Sequence, residues 1–519
     1  MHTFNTNSQT IGGTTAISIP NVTVTGVTLT NDTTLTVNTA LSGTGGLTQG
    51  SGATLNIRGT SAITTLTASA SGNVVNYNGT AAQTIHVATY VTLKSNNTAG
   101  AILGGAVTLT TLTIGDATAN SIFSDGGFVI TLSGSSDFNL TSGTYRLGSA
   151  TVGTTFPSFV TINIAAGTTV NYVSGVAQTV SATPGYQHLT ISGVGTKTPD
   201  ASLTIAGNLT VNATGGTFDL GAAFSHTVTG NVVLTAGTVN GGASVLTLSG
   251  NWTGAGTFTA NTSTIVFAGT SAQTIGNAAT TFNYLTIDKA MNTASFGANA
   301  TVNGNLTITS GTLGIVGVTI TVAGTTDITG TVTLSSTTGT KIFTGLVTIN
   351  TGGVWNNTAN EAVTFRGGIT HNGTTFTAGT GAYTFDTNSQ AIGGTTAISI
   401  PNVTVTGVTL TNDTTLTVNT ALSGTGGLTQ GSGVVLNLGG SSGITSLDAS
   451  VNSNTVNYTS TTAAQTVKGT AYHHLTINKS GRTATLGAAT TVNGDLTVTA
   501  GTLNTSTLAL TANGLTNIT

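Results

Sequence analysis

The sequence predicts an all-β, elongated single-chain β-solenoid: a parallel β-helix with coils of about 21–22 residues and essentially no helix. Three observations predict it. Apolar residues alternate with Thr at a period of two, a short Gln-centred motif recurs at quantised spacings, and charge is nearly absent. Only 4% of the 519 residues are charged, against about 25% in an ordinary soluble domain.

The alternation comes first. Val22-Thr23-Val24-Thr25 and the run from Leu29 to Val37 alternate apolar residues with Thr, the second broken by Asn31 to Thr34, the pattern of half-buried strands. Branching at Cβ suits Val, Ile and Thr to the pleat. Clusters of Gly, Asn, Ser and Ala break the runs into strands of about four to six residues, as turns require. No 3.6-residue amphipathic pattern appears.

Repeats then organise the strands. Phe4 to Gly52 recurs as Phe385 to Gly433, with only Asn5 replaced by Asp386 and Thr10 by Ala391. A finer motif, small residue–Gln–small residue–Ile or Val, places its Gln at Gln9, Gln83, Gln178, Gln273, Gln390 and Gln465. The intervals are 74, 95, 95, 117 and 75, and successive ones differ by 21, 0, 22 and 42, whole multiples of 21 or 22. Whole-unit insertions are what a stacked coil tolerates, since each added turn only lengthens the stack. The modules run roughly 4–82, 83–177, 178–272, 273–384, 385–464 and 465–519 within one continuous solenoid, a rod of roughly 115 Å at about 4.8 Å per coil. After each Gln come recurring phrases such as Tyr284-Leu285-Thr286-Ile287, Gly304-Asn305-Leu306-Thr307-Ile308 and Ala500-Gly501-Thr502-Leu503.

Low charge follows from stacking. Identical charges about 4.8 Å apart repel, whereas Thr, Asn or Val stack without penalty. The composition also argues against several functions. Ten Lys plus Arg spread over the chain, with a net charge of −3, give no footprint for nucleic acid. No helical apolar run of about 20 residues offers membrane insertion. Without Cys there is no disulfide framework or thiolate site.

The phrases at 269–313 (GTSAQTIGNAATTFNYLTIDKA…TVNGNLTITSGTL) and 460–503 (STTAAQTVKGTAYHHLTINKSGRTATLGAATTVNGDLTVTAGTL) resemble the repeats of large bacterial cell-surface, adhesin-like proteins. The resemblance covers nearly the whole chain, loosely at 100–160 and 315–380. It implies a right-handed β-helix, an extracellular or cell-surface setting, and a role as stalk, fibre or adhesive surface with no shared catalytic residues. Export rests on that resemblance, since no secretory signal precedes Thr3.

Met1-His2-Thr3-Phe4 stands where Ala382-Tyr383-Thr384-Phe385 stands in the internal copy. The chain therefore opens inside a module, and Gly514 to Thr519 reads as a strand without a polar cap. Open solenoid ends are unpaired edges. Either the chain is a piece of a longer one, or the last coil of one copy pairs with the first of the next, a heterologous contact that builds a filament. Met1, Phe4, Leu515 and Ile518 are the candidate end-to-end contacts. Self-association is thus the expected partnership, with glycans or host and cell surfaces as the adhesive alternative.

Other clusters are weaker. No catalytic, metal or cofactor-binding set is expected. His473-His474, near Lys479 and Arg482, lacks carboxylate or thiolate partners, and neighbours on a strand face opposite ways; a solvated strand is the reading. Asp288-Lys289, and Glu361 with Arg366, read as surface pairs worth little. A glycosidase would need clustered carboxylates, and the 13 acidic residues are dispersed. Asp32 and Asp413 occupy one turn position in the two copies. The repeated Gln reads as a corner residue satisfying backbone groups. Thr-x-Thr triplets such as Thr23-Val24-Thr25 and Thr331-Val332-Thr333 resemble the ranks of ice-binding solenoids but are not placed once per coil. Sequons such as Asn21, Asn208 and Asn305 follow from the Asn and Thr content. Trp252, Trp355 and Tyr186 look too isolated for a sugar-binding strip and read as core packing.

Overall fold

The computed structural model describes residues 1–117, 120–276, 278–451 and 453–519. They form short strands and turns with no helix among them, in a parallel β-solenoid. The chain forms two compact units, Met1–Asn261 and Thr262–Thr519, and among the described residues the strands pair in parallel.

In the first unit, Leu35 pairs with Leu55, Leu55 with Val75, Val75 with Leu93, and Leu93 with Leu112. All five are fully buried, so the inward positions of successive coils stack into one apolar column. The residues between them face outward. There Asn76 donates to Asn56 Oδ1 at 3.1 Å and Asn56 to Thr36 Oγ1 at 3.4 Å, an amide ladder. The second unit repeats the scheme: Phe343 pairs with Phe365, Phe365 with Phe385 and Phe385 with Val405. Trp252, Trp355 and Tyr186 are buried, as core packing requires, and each has an aromatic neighbour inside. Trp355 packs 5.7 Å from Phe343 and 6.0 Å from Phe376, fully buried.

Coil lengths spread around the expected 21–22 residues: Val354 to Thr375 is 21 positions and Val347 to Ile369 is 22. Leu35, Leu55 and Val75 advance by 20 positions per coil, and Val75 to Leu93 by 18. Wider coils occur where the repeat is loosest: Leu112 pairs with Phe138, 26 positions on, and Tyr145 with Val170, 25 on. The Gln intervals therefore sum narrow, regular and wide coils.

Gly43 and Gly424 show what tight corners demand. Both have φ +114°, and a Cβ there would lie 2.0 Å from Val24 O or 2.1 Å from Val405 O. Only Gly fits such an approach.

Candidate functional site

Five of the six repeated Gln side chains are buried: Gln83, Gln178, Gln273, Gln390 and Gln465. Gln9 is exposed. Each buried Gln begins a short strand such as Gln83–Ile85 or Gln465–Val467, and its amide turns back into the corner. Gln83 Nε2 donates to Ile57 O at 2.9 Å and Gly59 O at 2.7 Å, and Gln465 Nε2 to Leu438 O at 2.9 Å and Gly440 O at 2.6 Å. Gln178 does the same to Leu147 O and Thr154 O. Their Oε1 atoms accept backbone N–H groups: Gly79 at 2.8 Å, Ser460 at 3.0 Å and Ser174 at 3.3 Å. Gln390 binds Asp386 O and Asn388 O in its own loop and accepts from Gly368 N. In Gln83, Gln178 and Gln465 one amide thus satisfies carbonyls of the preceding coil and an N–H group of its own turn, and Gln390 reverses the two roles; these groups would otherwise be buried unpaired.

Two tyrosines flank three of these corners. Tyr172 and Tyr186 share a hydroxyl contact of 2.8 Å, and Tyr458 and Tyr472 one of 3.0 Å. Tyr77 Oη accepts His86 N while Tyr90 donates to His86 O. Burial pushes all six phenols up.

The cations are the surprise. Four of the chain's six lysines, Lys197, Lys289, Lys341 and Lys479, are buried. Lys479 Nζ donates to Gln465 Oε1 at 2.8 Å, Ala463 O at 2.8 Å and Ser460 O at 3.0 Å. Lys289 Nζ donates to Gln273 Oε1 at 2.6 Å and Ser271 O at 2.8 Å. Lys197 reaches Ser174 O, Gly195 O and Gly193 O. In the module of Gln83, Asn97 takes this place, its Nδ2 2.8 Å from both Gln83 Oε1 and Ala81 O. Burial pulls the Lys197 ammonium down to about 8 and lowers Lys289 and Lys479.

These placements correct three expectations. Lys289 is not half of a surface pair with Asp288, because its ammonium turns inward. Glu361 does not pair with Arg366. It lies inside with Lys341, Nζ–Oε2 2.6 Å, while Arg366 binds Asp386 at 2.9 Å. Lys479 does not sit on a solvated strand. A signal for the two lysines stood in the alternation: Leu285, Ile287 and Lys289 share one parity, as do Leu475, Ile477 and Lys479.

His473 and His474 are half-buried, their rings 4.4 Å apart. His474 Nδ1 accepts Asp495 N at 2.9 Å. Among the described residues no three His, Asp or Glu side chains lie together as a metal would need. Asp32 and Asp413 are exposed, each with its carboxylate against a glycine of the next coil, Gly50 or Gly431.

The candidate end residues are open. Met1 is 80% exposed, Leu515 77% and Ile518 73%, and Phe4 is half-buried. Around Ile518 a cavity of about 410 Å³ is lined by apolar side chains including Leu496, Val498, Leu503 and Leu510. No protein family, curated protein or solved structure matches the chain.

Proposed function

We propose that the chain is an extracellular structural protein of the cell surface, a fibre subunit whose terminal coils stack head to tail on further copies. The observation that carries this reading is the contrast between two nearly identical segments. In the internal copy, Val363–Phe365 lies beside Ala382–Phe385, and Phe385 is fully buried. In the first copy, His2–Phe4 pairs with Val22–Val24 on one side, and Phe4 is only half-buried. The same sequence thus accepts a preceding coil at residue 385 and offers the same edge at residue 4. The coil at Thr516–Ile518 supplies a parallel strand edge with exposed Leu515 and Ile518 to meet it. Low charge and regular ladders, which favour strand-on-strand contact over solvation, support the same role, as does the resemblance to surface-protein repeats.

Electron microscopy and sedimentation velocity across a concentration series test it. Filaments that lengthen with concentration, and that Phe4→Asp or Ile518→Asp shortens, are expected. Monodisperse particles at high concentration overturn the fibre role. They would leave the second reading, a stalk or adhesive segment of a larger surface adhesin, which the apolar 410 Å³ opening at the last coil also fits by receiving a further coil of the same chain.

A further inference from the structure

The coils lengthen between residues 112 and 170, and the added residues build something the regular coils lack. Two loops, around Gly126–Ile130 and Val152–Pro157, enclose a cavity of about 250 Å³. Asp125 and Tyr145 stand at its floor; Phe128, Val129, Val152 and Pro157 line it with apolar surface. Behind the floor Tyr145 packs against Phe123, Phe138 and Phe156 at 5.5–5.8 Å, so this wall is rigid. The rim is apolar and open: Phe128, Val129 and Val152 are among the unit's most exposed large side chains.

Two polar groups at the floor are incompletely served. Asp125 is buried, yet its carboxylate meets only neutral donors. Oδ1 accepts Gly148 N at 2.8 Å and Gly127 N at 2.9 Å, and Oδ2 accepts the Thr154 hydroxyl. No salt bridge among the described residues includes it. The chain's other buried carboxylate, Glu361, has a lysine. Tyr145 Oη is buried without a hydrogen-bond partner. A buried charge without a counter-ion is costly, and burial accordingly pushes the Asp125 carboxyl up.

We propose that this cavity is a binding site for a small primary amine, its ammonium directed to Asp125 and its short apolar stem held by Phe128, Val129 and Val152. The ammonium supplies the missing counter-ion. The volume, on the order of eight water molecules at about 30 Å³ each, suits a ligand of a few heavy atoms and excludes an oligosaccharide. The site stands independently of end-to-end assembly, since it lies in the middle of the first unit.

The test is calorimetric titration of the full chain with n-butylammonium, with n-butanol and glucose as neutral probes. Saturable 1:1 binding of butylammonium is expected, with Kd on the order of 1 mM, in line with the ceiling on what so few heavy atoms can gain. Asp125→Asn, which keeps the Gly127 and Gly148 bonds, weakens it at least tenfold, and Val152→Trp, at the exposed rim, blocks it. Absence of saturable binding, equal affinity for butanol, preference for glucose, or unchanged affinity in Asp125→Asn overturns the proposal. If Asp125→Asn does not fold, Val152→Trp decides: unchanged affinity there overturns it as well.

Discussion

Lys479 Nζ lies 2.8 Å from Gln465 Oε1, and both side chains are buried in the same corner. The ammonium also holds Ser460 O and Ala463 O, the two ends of the turn that precedes the Gln strand. The corner is therefore clamped by a cation whose hydrogen-bond partners are neutral dipoles, with Arg482 close enough to lower the ammonium further.

Lys479→Met fills the same space but removes three donors at once. Unpaired buried acceptors cost about 1–3 kcal/mol, and relaxation of the turn recovers part of the loss. The expected net is about 2 kcal/mol, equivalent to roughly thirtyfold faster local exchange. Hydrogen exchange of residues 458–468 reads it directly, because solenoids open locally rather than all at once. Unchanged protection would show that the turn holds itself.

Lys341 and Glu361 form the buried ion pair of the second unit, 2.6 Å apart, with Lys341 also bound to Thr338 O and Glu361 to Ser336 N. Removing one partner strands the other charge. Lys341→Met and Glu361→Leu should each cost about 3–5 kcal/mol, whereas the double variant Lys341→Met, Glu361→Leu should cost much less than their sum. Denaturant unfolding followed by exchange at 336–343 measures the cycle. Additive losses would mean the two side chains act separately.

Most of this was legible in the chain. The two-residue alternation of Leu35-Thr36-Val37 and its returns gave strand, face and stack, because burial of one side chain in two leaves no other solution. The Gln positions were legible as a repeat. Their lysines were not, although Lys289 and Lys479 keep the inward parity of Ile287 and Ile477, because a charged residue was assigned to solvent on general grounds. Local alternation outranked that rule where carbonyls waited inside. The Asp125 cavity was illegible for a different reason. It is built from residues that interrupt the repeat, and periodicity carries no information about the loops that break it.

Alkaline pH offers a test of the tyrosine pairs. Tyr383 is pushed up to about 12 by burial, and Tyr458 and Tyr472 are raised for the same reason. An acid whose pKa is raised by folding keeps its proton in the native state while the unfolded chain loses its own from about pH 10. The native state then holds more protons than the unfolded one, so stability falls as pH rises above about 10 and continues to fall toward about 12. The lowered lysines act in the opposite sense below their ordinary value near 10.5, so the stability of this unit should pass through a maximum near pH 10. Denaturation midpoints across this range, with tyrosinate absorbance followed in parallel, check it. Ionisation of Tyr383, Tyr458 and Tyr472 at pH 10 without loss of structure would contradict the buried hydroxyl network.

Phe4 and Phe385 are one residue in two settings, and the duplication supplies its own control. Phe385 is fully buried between Phe365 and Val405, so Phe385→Ala should cost about 3–5 kcal/mol. Phe4 has Val24 on one side only, and Phe4→Ala should cost well under half as much in dilute solution. The sequence around the two is nearly the same, so propensity and turn chemistry cancel and the difference reports the coil that covers one of them. Exchange at 22–24 and 403–405 compares them residue by residue. The comparison should then depend on concentration. If further copies stack on the first coil, the cost of Phe4→Ala climbs toward that of Phe385→Ala as filaments form, while the cost at Phe385 stays constant. A Phe4 penalty that is small and flat at every concentration would show that nothing in solution takes the place that Val363–Phe365 holds inside the chain.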